Sequence, residues 1–234
     1  MKTALIITGQ IRNARETYPS LKKHILDSLN PDVYISTWLP ETASHVVRYD
    51  DQEGKILAEP VENELGVQEI LDMFTPQNVC FENTETEFYQ GAHERLLGFG
   101  RFPETLAENV FLQQYKILSG WRLIPDPKQY DFIIRSRFDL GFEEFPDLSG
   151  LDPSKIYIPK GWDWRGGIND LLAWGGPDQM EIYCNLFSNF FEYCSEGCVI
   201  HPEVMITHHF NKKGIVPERI PLRYSLRGMD LYQA

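Results

Sequence analysis

An α/β fold built on a mostly parallel sheet is what this sequence predicts, and three observations predict it. The chain opens on an apolar run, Lys2 to Thr8, followed by a helical stripe and a second apolar run, Asp32 to Trp38. Such a β-α-β beginning implies parallel pairing through a right-handed crossover. A third run, Phe132-Ile133-Ile134, lies beyond the turn-forming Pro125-Asp126-Pro127 and reads as a further buried strand. At 234 residues, 42% hydrophobic and 13% aromatic, the chain suits one α/β domain with an ample core.

A net charge of −12 with scattered basic residues argues against a nucleic-acid or anionic-membrane surface and leaves room for one local basic pocket. No run approaches the ~20 apolar residues of a membrane span. Met1-Lys2-Thr3 leads into too short an apolar run for a signal peptide, so a soluble, cytoplasmic protein is expected. Cys80, Cys184, Cys194 and Cys198 lack zinc-ligand spacing, and reduced thiols are the expectation.

Taken in order, the first strand runs into Thr8-Gly9-Gln10-Ile11-Arg12-Asn13. Glycine there lets backbone approach a ligand closely, and Arg12 is a phosphate-binding type of side chain; an ordinary βα turn accounts for the same residues. The stripe Tyr18, Leu21, Ile25 and Leu29 predicts a helix over about 14–29. Pro31 then introduces the second strand. Residues 39–63 are polar and read as loop, with Asp50-Asp51 a minor metal candidate. Val67 to Phe74 reads as a short helix and Asn78 to Phe81 as a short strand. Residues 82–102 are irregular, with Phe88, Tyr89, Phe99 and Phe102, and read either as a substrate lid or as surface packing. Pro103-Glu104-Thr105 begins a helix to about Leu123, apolar on more than one side.

The strand after it carries an informative polar pattern, Arg135, Arg137 and Asp139, spaced two apart. Alternate residues of a strand share a face, so these three are expected to point the same way. Two guanidiniums beside one carboxylate are costly to bury without a ligand or a partner network. At the carboxyl end of a strand they suit a polyanion-plus-metal site, arginine through its fork and aspartate as a hard-cation ligand. An ion network that only anchors the strand end is the alternative.

Leu148 to Pro153 reads as a turn and Ile156-Tyr157-Ile158 as a short strand. The stretch Lys160 to Gly176 then places paired glycines around Asn169-Asp170, with Trp162, Trp164 and Trp174 nearby. Aromatic faces stack on sugar rings, and Asn and Asp bond hydroxyls, so the ensemble suits a sugar site; a glycine-rich loop with tryptophans in the core is the alternative. Pro177 and Asp178 open a helix to about Tyr193. His201-Pro202-Glu203 opens another to about Lys213. His201, His208 and His209 fall within nine residues of a chain with six histidines, a density that admits a ligand role for one. Ile220, Leu222, Tyr224 and Leu226 alternate as an edge strand, flanked by Arg223 and Arg227.

With Thr8-Gly9-Gln10-Ile11-Arg12, Arg135-Ser136-Arg137-Phe138-Asp139, the Gly166 to Asp170 block and His201-Pro202-Glu203 together, the chain resembles nucleotide-sugar glycosyltransferases of the GT-A fold. It is similar in particular to a group with a Ser/Thr-Gly-Gln-x-Arg opening and an Arg-x-Arg-x-Asp strand end. The resemblance runs nearly the full length and thins between Leu39 and Phe102. It implies a Rossmann-like, mostly parallel mixed sheet flanked by helices. One domain over 1–234 would hold the donor nucleotide in its 1–140 half and the acceptor or sugar in its 141–234 half.

Thr8, Gly9, Gln10, Arg12, Arg135, Arg137 and Asn169 are then the expected donor-binding residues. The fold generally holds the donor diphosphate through Mn2+ or Mg2+ on an Asp-x-Asp pair. Here Arg137 stands at the first acid, leaving Asp139. Either Asp139 works with water and a late histidine, His209, or Arg137 replaces part of the cation. Asp170 is the expected base of an inverting transfer and Glu203 its reserve. The metal or the arginines would offset charge on the leaving diphosphate. The implied function is metal-assisted sugar transfer from a nucleotide sugar to a saccharide or glycoconjugate hydroxyl. One alternative is a non-catalytic carbohydrate- or nucleotide-binding domain on a degenerate transferase fold. The other is a nucleotidyltransferase, for which Gly9 to Arg12 is a thin phosphate loop.

Overall fold

The chain begins with β1 (Thr3–Gly9), whose first six residues are all buried. That near-continuous apolar run is the mark of a strand covered on both faces. Helix α1 (Ala14–Leu21) follows, with Pro19 inside it. Proline lacks the donor for one rung, and the helix widens into a π-helical turn over Lys22–Leu26 before closing with Asp27–Leu29. Strand β2 (Asp32–Trp38) is again buried along its length. β3 (His45–Asp50) and β4 (Lys55–Pro60) form an antiparallel hairpin where the polar composition predicts only loop.

Helix α2 (Val67–Phe74) is capped by the Glu69 carboxylate, which accepts from the Gly66 amide at 2.9 Å, and buries Ile70 and Phe74. β5 (Asn78–Glu82) precedes α3 (Ala107–Arg122), which is buried on several sides as expected. β6 (Phe132–Ser136) is fully buried, and β7 (Leu140–Phe142) follows after a turn. β8 (Ile156–Pro159) and β9 (Ala173–Gly175) flank the glycine-rich loop. α4 (Pro177–Cys184) and α5 (Phe190–Ser195) replace the single helix expected over 177–193; a 3-10 turn, Leu186–Asn189, separates them. α6 (Pro202–Lys213) ends at Gly214. The expected single edge strand is divided at Pro221 into β10 (Glu218–Ile220) and β11 (Tyr224–Leu226), and β12 (Met229–Asp230) follows. Proline has no ladder donor and interrupts the run.

Seven strands make the central sheet in the order β10-β8-β9-β6-β1-β2-β5. All neighbours run parallel except β9, which is antiparallel to both β6 and β8. The expectation of a mostly parallel mixed sheet flanked by helices is met. β7, β11 and β12 form a smaller antiparallel sheet. Strand alternation divides the core in two. Ala4, Ile6 and Ile133 face α3 to α6, whereas Leu5, Ile7 and Ile134 face α1, α2 and the small sheet.

The computed structural model describes residues 1–39, 45–50, 55–60, 65–83, 94–96, 98–99, 107–164, 166–226 and 229–230. Most of the expected lid segment lies outside the described residues. So do Asp51, the first residues of the helix expected from Pro103, and Arg165 and Arg227. Among the described residues no helix is long and apolar enough to cross a membrane. All four cysteines are unpaired, with Cys184 and Cys194 buried; burial pushes the Cys184 thiol upward.

Candidate functional site

The order of the central sheet reverses at β1. The chain builds outward through β2 and β5 on one side, then resumes with β6 on the other. In open α/β sheets the crevice beyond the carboxyl ends of two such strands is where ligands bind. The segments leaving these ends are Gln10 to Asn13, after β1, and Arg137 to Asp139, after β6. Both turn sharply. Gly9 has φ 108 and Asn13 φ 50, and the Gly9 carbonyl accepts from Thr37 Oγ1 at 2.6 Å. A side chain at φ 108 is strained, so glycine suits that position.

The strand expected to extend through Asp139 ends at Ser136 instead. Phe138 turns into the core against Phe74, with ring centroids 5.7 Å apart, and its carbonyl accepts from Thr17 Oγ1 at 2.5 Å. Anchoring Phe138 leaves Arg137 and Asp139 to meet each other directly. Arg137 Nε donates to Asp139 Oδ1 and its Nη2 to Oδ2, each at 2.8 Å. Arg12 Nε reaches Asp139 Oδ2 from the other turn, also at 2.8 Å. The aspartate side chain is 2% exposed and each arginine 15%. Burial works against the Asp139 charge, but Arg137 and Arg12 outweigh it and hold the carboxyl well below the usual range. For Arg137 burial is likewise opposed, by Asp139 first and then by Asp170 and Glu203, and its pKa is raised.

Arg135 does not join this cluster, contrary to its expected place beside Arg137. It is buried on the α3 side of the sheet, where Nε donates to Thr8 Oγ1 at 3.1 Å. Its Nη1 donates to the carbonyls of Asp170 at 2.6 Å and Leu171 at 3.2 Å. Thr8 and Arg135, expected to contact a donor, therefore brace the glycine-rich loop against the sheet. Gln10 supports the cluster from its rim, its Oε1 accepting from Arg12 Nη1 at 3.3 Å.

The loop between β8 and β9 is braced again by Asn169, which is fully buried. Its Nδ2 donates to the Gly161 carbonyl at 3.1 Å and to the Tyr224 hydroxyl, while its Oδ1 accepts from the Leu171 amide at 2.9 Å. With both amide ends engaged, Asn169 shapes the loop; it does not face a donor as expected. Asp163, in a bidentate pair with Arg219 at 2.7 and 3.1 Å, also accepts from the Asn169 amide. The backbone of this loop doubles back at Gly161 and Trp162, with φ 84 and φ 55. A bulky residue in that region costs about 1–3 kcal/mol and persists only where its surroundings hold it.

Asp170 and Glu203 lie near enough to act on each other's charge, and both act on Arg137. Asp170 is almost buried and its Oδ2 accepts from Gln113 of α3. Glu203 lies in the first turn of α6, its side chain 14% exposed. Burial pushes its pKa up, Asp170 adds to that, and His201 works against both. His201 Nδ1 lies 2.5 Å from Glu203 Oε2. The His201 ring stacks on Trp164 at 4.0 Å and 10°. Gly167 fits directly over the α6 start, where a Cβ would lie 2.4 Å from the Glu203 carbonyl carbon.

His209 departs from its expected role as a metal ligand. It is buried in the helical layer, Nδ1 against the Tyr193 hydroxyl and Nε2 against the Ile182 carbonyl, each at 2.8 Å. Burial lowers its pKa, so the neutral ring donates from Nε2 and accepts at Nδ1. No lone pair remains for a cation. Asp139 does not fit one either, because a divalent ion there would lie against two guanidiniums already bonded to both carboxylate oxygens. The expected Asp139–His209 ligand pair is not assembled, and among the described residues no group of three or more His, Cys, Asp or Glu side chains could hold a metal.

Sequence reasoning missed Gln113 and the pairing of His201 with Glu203. Gln113 is one of several polar residues on α3, beside Glu108, Gln114 and Lys116, so its residue type alone did not single it out. His201 stands two residues before Glu203, across Pro202 at the start of α6, but its contact depends on Trp164 from a distant loop. No protein-family model and no curated protein matches this chain.

Proposed function

We propose that this chain is a glycosyltransferase that moves a sugar from a nucleotide-sugar donor to a hydroxyl of a saccharide or glycoconjugate. One observation carries the reading: a cationic pair, Arg12 and Arg137, at the sheet's switch point, adjoining the acid pair Asp170 and Glu203. The first suits a diphosphate, and the second suits a hydroxyl that must lose its proton. The mostly parallel seven-stranded sheet is compatible with the GT-A form of the Rossmann-like fold.

In this reading the bond between the anomeric carbon and the diphosphate oxygen breaks, and its electron pair leaves with the diphosphate. The arginines offset that charge as it grows. The acceptor oxygen forms the new bond to carbon and gives up its proton to a carboxylate. Glu203 suits the proton better than Asp170. It is more exposed, its pKa is shifted upward toward neutrality, and His201 stands at 2.5 Å. Asp170, held by Gln113, is then positioned to orient acceptor hydroxyls. Mn2+ or Mg2+ would supply Lewis-acid chemistry in a metal-assisted version, but the Asp139 donor set does not suit one, and no step here depends on it.

The test is release of nucleoside diphosphate and sugar transfer from a panel of nucleotide sugars. Glu203→Gln is expected to cut turnover by about 100-fold or more while donor binding is retained. Equal loss in both would make Glu203 a binding residue. Binding without release from any donor would instead establish a non-catalytic nucleotide- or carbohydrate-binding domain.

A further inference from the structure

We infer that Arg12 and Arg137 themselves hold the donor's diphosphate, without a divalent cation, and that Asp139 is a positioning residue that keeps the two guanidiniums side by side. The inference rests on the donor reading above and names the means of anion capture at the same site. The Asp139 side chain is 2% exposed and the two arginine side chains 15% each, so the solvent contact this cluster has is mainly through the arginines.

The hydrogen bonds agree. Asp139 accepts Nε of Arg12 and both Nε and Nη2 of Arg137. Both contacts of Arg137 leave from one edge of its fork, so Nη1 takes no part in holding the carboxylate. Guanidinium forks match phosphate oxygens through paired donors. A divalent cation beside Asp139 would lie against two guanidiniums already bonded to both carboxylate oxygens. The charges facing Arg137 from the neighbouring elements are Asp139, Asp170 and Glu203, which keep it a cation. Arg135 is turned away to the loop carbonyls.

Titration calorimetry with uridine, guanosine, adenosine and cytidine diphosphates, in EDTA and again in Mn2+, tests this on the full chain. The expected result is binding of at least one of them with the same affinity in both solutions. Arg137→Ala is expected to weaken it by about 10- to 100-fold, the worth of a charged hydrogen-bonding partner. Asp139→Asn is expected to weaken it in EDTA and in Mn2+ alike, because the guanidiniums lose the carboxylate that holds them side by side. Binding that requires Mn2+ would overturn the inference and leave the transferase reading standing. Binding of none of the four in either solution would overturn both. Wild-type titrations decide between these outcomes even where a variant fails to fold.

Discussion

Glu203 is held where its own charge is disfavoured, and that has a consequence for stability. Burial comes first and Asp170 second in raising its pKa above the unfolded value, which is about 4.3. A group whose folded pKa is raised contributes its stability fully below the unfolded value, and the contribution fades as pH climbs through the folded pKa. Glu203→Gln, which cannot ionise, is therefore expected to be more stable than the parent at pH 7 and indistinguishable from it near pH 4. Urea midpoints at the two pH values check this, and a less stable variant at pH 7 would remove the strain from Glu203. Asp139 has the opposite sign. Its contribution is present above about pH 4 and fades as pH falls toward its depressed folded pKa. At this scale the sequence was legible by residue type more than by role. Arg12, Arg137 and Asp139 bond to one another, and Asp170 and Glu203 act on Arg137 through their charge. Thr8, Arg135, Asn169 and His209 are the same polar types but bond inward, because loop carbonyls and a hydroxyl reach them first.

The elements that present these residues differ in how readably they are encoded. β1, β2, α2 and β5 follow from uninterrupted apolar runs and local caps, and their expected positions agree with the structure to within a residue or two. The end of β6 was not readable. The alternation Arg135, Arg137, Asp139 looks like strand, but the Thr17 hydroxyl and the Phe74 ring, both distant in sequence, turn Phe138 inward and stop it. The β3–β4 hairpin was hidden for a related reason: its short apolar runs, Val46-Val47 and Ile56-Leu57, lie within a stretch that is polar as a whole. The seat of α6 under the glycine-rich loop yields a prediction. At Gly167 any Cβ meets the Glu203 carbonyl carbon at 2.4 Å and the Val204 nitrogen at 2.5 Å, both backbone atoms that cannot rotate away. Gly167→Ala is expected to cost about 1–3 kcal/mol, in the range of overpacked cores. It should also lower turnover more than donor binding, since Glu203 moves and the arginine turns do not. Circular dichroism melts and the release assay separate the two effects, and an unchanged melting temperature would mean that the loop yields.

Across the whole molecule, the strand order was the part least accessible from sequence, because β1 acquires β6 as a neighbour only through pairing over more than a hundred residues. Local periodicity carries no trace of that reversal, yet it creates the crevice. β1 is paired on both edges, to β2 and to β6, and the two arginine turns leave from the adjacent ends of β1 and β6. A diphosphate held by both turns therefore ties together two strands that must separate for the sheet to open, so its binding should be felt in global unfolding and not only in a loop. A ligand at a hundredfold excess over its Kd stabilises the folded state by about 2.7 kcal/mol. For a domain of this length that corresponds to a rise of about 5–10 °C in melting temperature. The expected outcome is such a rise with the bound nucleoside diphosphate, together with slower amide exchange in Ala4 to Ile7 and Ile133 to Arg135. Exchange slowed only in the segment after β9, with β1 and β6 unaffected, would place the anion elsewhere than between the two turns.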